Sequence, residues 1–114
     1  MNTETLNALK TLRDAKTSIT DRLTDSSITP AEKKILGSVF LTLQDEEDIL
    51  INCTLQDMVD KINTSNASLQ ILIKQMDRVS QHISDISNTV KKVSKMLSVL
   101  TEITTKAFSA GLLG

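Results

Sequence analysis

The sequence predicts an all-α protein, and two observations carry that prediction. First, only three glycines and one proline occur in 114 residues, which leaves little turn chemistry for a β fold. Second, apolar residues recur at alternating steps of four and three between Leu69 and Ala107. On an α-helix this spacing places them on one stripe, here called the apolar seam. The seam comprises Leu72, Met76, Val79, Ile83, Ile86, Val90, Val93, Leu97 and Leu100.

A seam of about four heptads cannot remain in water, so it must pack against other helices. We therefore predict a single domain over residues 1–114, with three antiparallel helices near Thr3–Thr24, Pro30–Ile62 and Asn66–Ala107. The two long helices are expected to form a coiled-coil-like hairpin. The alternative is that they fuse into one continuous rod.

The second helix has a specific start signal. Thr29-Pro30-Ala31-Glu32 matches a capping box with proline at the first helical position. Gly37 inside this helix costs about 1 kcal/mol relative to alanine.

Residues 63–68 read Asn-Thr-Ser-Asn-Ala-Ser, and five of these six are poor helix formers. They favour a turn here, although the seam spacing continues across them and no glycine or proline is present.

Two further groups of residues suggest contacts. Ser80, Ser87, Ser94 and Thr101 place a small hydroxyl beside the seam every seven residues, either for close helix approach or as an exposed polar stripe. Apolar residues outside the seam form the second group, and we expect them to offer surplus contact surface. They are Ile71, Ile73, Phe108, Leu112 and Leu113.

No constellation of residues predicts catalysis, so we expect a protein that is not an enzyme and has no cofactor or metal. Residues 45–48, Asp-Glu-Glu-Asp, could form a cation site, but consecutive residues spread around a helix, which favours a solvated face. His82 is the single histidine and is expected to be a polar residue at the edge of the seam. Cys53 lacks a neighbouring basic residue, which favours a small semi-buried side chain over a reactive thiol.

Charge and composition narrow the class of partner. A net charge of −1 and an aromatic content of 2% argue against nucleic-acid binding, which needs basic surfaces or stacking platforms. No signal peptide or spanning helix is evident, so a cytoplasmic protein is the default, and signal-independent export stays open.

The sequence thus predicts a structural or interaction module that forms a homo-oligomer or binds a helical protein. The alternative is a membrane-active protein, pore-forming or associated with translocation, that uses its C-terminal helix. This helix combines lysines such as Lys91, Lys92, Lys95 and Lys106 with an apolar side, as interfacial helices do.

Overall fold

The computed structural model describes residues 3–79 and 81–111. Within these ranges the chain forms four α-helices and one 3-10 turn. The helices are α1 (Thr3–Leu23), α2 (Pro30–Asn52), α3 (Leu55–Val79) and α4 (Ser84–Ser109), and the 3-10 turn spans Gln81–Ile83.

The four helices form an up-down-up-down bundle. Each of α1 and α3 packs against both α2 and α4, so the helices occupy the corners of a square. The short connections force consecutive helices to run antiparallel. The bundle is elongated, with principal extents of 51 × 21 × 17 Å.

All four helices contribute to one apolar core that runs along the bundle axis. Its members recur at steps of three and four along each helix, as expected for the inward face of an amphipathic helix. Fully buried examples are Leu12 and Ile19 on α1, Leu36 and Leu43 on α2, Ile62 and Leu69 on α3, and Val90 and Leu97 on α4.

The all-α prediction is confirmed, but the prediction of three helices is wrong. The chain turns at Cys53 and Thr54 rather than near residues 63–68, and the continuous-rod alternative is excluded by the same turn. Thr54 caps α3, because its hydroxyl accepts a hydrogen bond from the Asp57 amide at 3.3 Å. The pattern Thr54-Leu55-Gln56-Asp57 is therefore a local helix-start signal in the sequence.

Residues 63–68 stay helical, and polar groups of Thr64 and Asn66 find partners without leaving the helix. The Thr64 hydroxyl donates to the carbonyl oxygen of Asp60 at 3.1 Å. Asn66 points into the bundle, where its amide nitrogen donates to the Ser94 carbonyl oxygen at 3.1 Å. Poor intrinsic propensity is thus outweighed by tertiary contacts.

A second break divides the predicted third helix. The 3-10 turn between α3 and α4 keeps Ile83 fully buried, so the seam continues through the break. Arg22 of α1 stabilises this turn by donating to the His82 carbonyl oxygen and to the Asp85 carboxylate, both at 2.7 Å. This contact is tertiary, which explains why the local sequence does not reveal the break.

The start of α2 agrees with the sequence. The Thr29 hydroxyl accepts from the Glu32 amide at 3.2 Å, and the Glu32 carboxylate accepts from the Thr29 amide at 3.0 Å. Gly37 has open space where a Cβ would lie, so no neighbouring backbone requires glycine at this position.

We expect Val90→Asp to destabilise the bundle by several kcal/mol, because it places an unpaired charge in the apolar core. Asn88→Asp introduces the same negative charge at an exposed position of the same helix and is the matched control. Urea unfolding followed by circular dichroism measures both. Equal midpoints for Val90→Asp and the parent would contradict the placement of the seam.

Candidate functional site

The seam lies in the core of the chain's own bundle. Seven of its nine residues are buried, Leu72 is half-buried, and Val79 is 39% exposed. Val79 departs from the prediction because α3 ends there and the chain turns away.

The surplus apolar residues separate into different environments. Ile73 is only 7% exposed and belongs to the core, contrary to the expectation of surplus surface. Ile71 is 59% exposed on α3, and Phe108 is half-buried on α4. Leu112 and Leu113 lie outside the described residues.

The small residues beside the seam are buried where they are described, which favours close helix approach over an exposed stripe. Ser87, Ser94 and Thr101 are each almost fully inaccessible to solvent, and Ser80 lies outside the described residues. The Ser87 hydroxyl donates to the Asp77 carboxylate of α3 at 2.6 Å. This bond and an ion pair from Lys91 to Asp77 at 3.1 Å join α3 to α4 and lower the pKa of Asp77.

The interpretation of residues 45–48 as a solvated face is wrong for its two glutamates. Asp45 and Asp48 are exposed, whereas Glu46 and Glu47 are buried. Glu47 accepts an ion pair from Lys16 at 2.8 Å and from Arg13 at 2.6 Å, which hold its pKa below the usual range. No group of three or more metal-ligating side chains is arranged around a metal site within residues 3–79 and 81–111.

Glu46 is the most unusual titratable group in the described structure. Its side chain is fully buried, and neither carboxyl oxygen has a hydrogen-bond partner of normal geometry. Burial raises the pKa of Glu46 to about 8, and the negative charge of Asp45 adds to this effect. The Ser65 hydroxyl on α3 acts in the opposite direction. At neutral pH the carboxyl group is therefore mainly protonated.

A polar layer crosses the bundle at this level and consists of Glu46, Ser65, Asn66, Ser94 and Ser98. The Asn66 amide nitrogen donates to the Ser94 carbonyl oxygen and to the Ser98 hydroxyl at 3.0 Å. Its orientation is fixed because a carbonyl oxygen can only accept. The Asn66 side-chain oxygen is buried without a partner, like the Glu46 carboxyl. When Glu46 is protonated, its carboxyl group is neutral and has an O–H donor, whereas the ionised carboxylate could only accept hydrogen bonds.

A second polar cluster surrounds His82, in the 3-10 turn at the end of the bundle where α3 is followed by α4. Its Nδ1 atom is 3.0 Å from the Glu32 carboxylate, and its Nε2 atom is 3.4 Å from the Ser27 hydroxyl oxygen. The Thr29 amide and His82 together lower the pKa of Glu32 to about 2. This cluster joins the α1–α2 connection to the turn before α4.

The order acid, histidine, serine is also that of hydrolytic triads, but the geometry favours a structural role. The Ser27 hydroxyl donates to the Asp25 carboxylate at 2.8 Å, so its oxygen is left to accept from His82. The main grooves of the described surface lie elsewhere, and neither Ser27 nor His82 lines one.

Two open grooves flank α3. The groove between α2 and α3, about 630 Å³, is lined by Asp45, Asp48 and Asp60 together with Lys61. We call it the acidic groove. The groove between α3 and α4, about 500 Å³, is lined by Lys74, Lys91 and Lys95 together with Asp77. We call it the basic groove.

Comparison with known proteins finds no matching family model and no significant match among the curated proteins or the solved structures. Among the helices of the described residues, none has the length and apolar character needed to cross a bilayer.

We expect the free energy of unfolding to fall as pH rises from about 4.5 to about 8. The folded state holds the Glu46 proton over this range and the unfolded chain has released it. The slope is about 1.4 kcal/mol per pH unit, so the total reaches several kcal/mol. Glu46→Gln should abolish this dependence. Glu47→Gln, one residue away, is the control and should leave it intact. Parallel pH profiles for the parent and Glu46→Gln would contradict the assignment.

Glu32→Gln should lower the melting temperature at pH 6, because it removes the negative charge beside His82. The lowered pKa of Glu32 means that its contribution is present above about pH 4.5 and is lost as pH falls toward about 2. The gap between parent and variant should therefore close over that range. Glu102→Gln breaks only an exposed ion pair to Lys106 and serves as the control, with little change expected. An undiminished difference in melting temperature between parent and variant at pH 2 would contradict this explanation.

Proposed function

We propose that this chain is a non-enzymatic interaction module whose folded bundle docks against a helical protein, either another copy or a cognate chain. The observation that carries the proposal is the outward face of α3. There, the large apolar side chain of Ile71 is exposed between two open grooves of opposite charge.

The surface for docking differs from the one that the sequence indicated. The seam is used within the chain, so a partner must contact side chains outside the core. Exposed apolar residues beside charged rims are the usual composition of such protein contacts.

We also infer coiled-coil-type packing between α3 and α4. Buried residues keep the three-and-four spacing from Ile86 to Leu100 along α4, and Asn66 and Asp77 bond across to α4. Small buried residues on α4, such as Ser87 and Ser94, are compatible with a short distance between the two helix axes.

The non-enzymatic part of the proposal rests on the chemistry of the described residues. The one histidine is held between Glu32 and Ser27 away from the grooves, and the buried Glu46 does not line a groove. Catalysis usually requires such groups to meet at a cavity that admits a substrate.

One observation favours a second candidate, binding to a membrane surface. Val99 and Ile103 on α4 are exposed, and Val99 lines a small groove with Lys95 beside α1. Basic and apolar groups on one helix are typical of interfacial binding. Most of the apolar side of α4 is nevertheless committed to the core.

Two surface variants separate the candidates. Ile71→Glu should keep the chain monomeric, while the parent shows a molar mass that rises with concentration in sedimentation equilibrium. The charge lies at the centre of the proposed contact and would be desolvated there. Val99→Glu/Ile103→Glu is the matched control and should associate as the parent does.

Co-sedimentation with anionic vesicles completes the test. Vesicle binding by a monomeric parent, lost in Val99→Glu/Ile103→Glu and kept in Ile71→Glu, would contradict the proposal and favour the membrane candidate. Ester hydrolysis that disappears in both Ser27→Ala and His82→Gln would contradict the non-enzymatic reading.

A further inference from the structure

We propose that the partner is a second copy of this chain, docked on the exposed face of α3 about a two-fold axis that lies in the plane of the contact. The acidic groove of each copy then faces the basic groove of the other. This inference rests on the proposed function and identifies its partner.

The two grooves are opposite in charge and similar in size. The acidic groove presents three carboxylates and one ammonium group, a net charge of −2. The basic groove presents three ammonium groups and one carboxylate, a net charge of +2. Surfaces with opposite potentials attract each other and fix the register of docking.

The positions of the grooves on the bundle fit a two-fold axis. The acidic groove lies on the α2 side of α3 and uses α3 residues 60–68. The basic groove lies on the α4 side and uses α3 residues 70–77. The grooves are therefore displaced from the middle of α3 in opposite directions, both across the helix and along it. A two-fold axis that lies in the contact plane, crosses α3 at its middle and is perpendicular to the line joining the grooves brings each acidic groove opposite the basic groove of the other copy. Both charged contacts therefore form at once.

The centre of this face has the composition that a self-contact needs. Ala67 and Ile71 are exposed one helical turn apart, between the two charged regions. Each is uncharged and so meets its own copy near the axis without like-charge repulsion. Burial of Ile71 against the partner adds an apolar contribution at the centre of the charged rim.

A second copy fits the charges better than a small ligand does. The carboxylates of the acidic groove do not converge on a metal site, since no such group exists among the described residues. A polyanion or a polycation would match one groove only. This chain itself carries both complements in the required positions.

Charge reversal tests the proposal. Asp45→Lys/Asp48→Lys makes both grooves basic, and Lys74→Glu/Lys95→Glu makes both acidic. Each variant alone should dimerise with a Kd raised about tenfold or more, because like charges then face each other at both contacts. An equimolar mixture of the two should recover a heterodimer, and added salt should weaken it.

Matched controls carry the same net charges at other exposed positions of α1 and α2. They are Asp14→Lys/Asp21→Lys and Lys33→Glu/Lys34→Glu, and each should dimerise as the parent does. Circular dichroism verifies that every variant is folded, and sedimentation equilibrium gives the molar masses.

Three outcomes overturn the inference. They are a parent that stays at 12.5 kDa at all concentrations, a parent that assembles beyond a dimer, and a dimer insensitive to both reversals. If that insensitive dimer is still lost in Ile71→Glu, only the charge pairing fails and the proposed function stands. If the parent is monomeric and binds vesicles, the proposed function fails as well.

Discussion

The structure depends on the closure of one apolar core by four helices of the same chain. A helix such as α1, with a narrow apolar face, is marginal alone and becomes stable through packing on its neighbours. The contact between α1 and α4 closes the square and joins the first and last helices. Because the core is completed internally, the seam is unavailable to a partner. The proposed docking on the outward face of α3 therefore relies on surface groups and not on the seam.

The polar layer lowers the stability of that core. The Glu46 carboxyl group and the Asn66 amide oxygen lack hydrogen-bond partners of normal geometry, and each lowers stability relative to an apolar residue. Buried polar groups of this kind specify the register of helices in some helical assemblies. In this bundle, sliding α3 along α4 would separate Asn66 from Ser94 and Ser98. The layer and the proposed docking face are two sides of α3: Ser65 and Asn66 face neighbouring helices, and Ile71 faces outward.

Much of the helical content could be predicted from the sequence, because the spacing of the seam residues and the capping box of Thr29 and Glu32 are local signals. The turn positions could not. Asn66 and its neighbours have turn-like composition, but α4 supplies the bonds that keep them helical, and Arg22 holds the turn before α4 from across the bundle. The buried state of Glu46 also depends on the whole bundle, since an acidic run gives no indication of which member points inward. The opposite charges of the two grooves emerge only when α2, α3 and α4 are placed side by side.

The up-down-up-down order has a consequence for how this unit could be joined to other polypeptide. With four antiparallel helices, α1 begins and α4 ends at the same end of the bundle. A domain whose entry and exit points are neighbours can be inserted in a host loop or circularly permuted with little strain. The opposite end, where the His82 cluster lies, stays clear of such attachments.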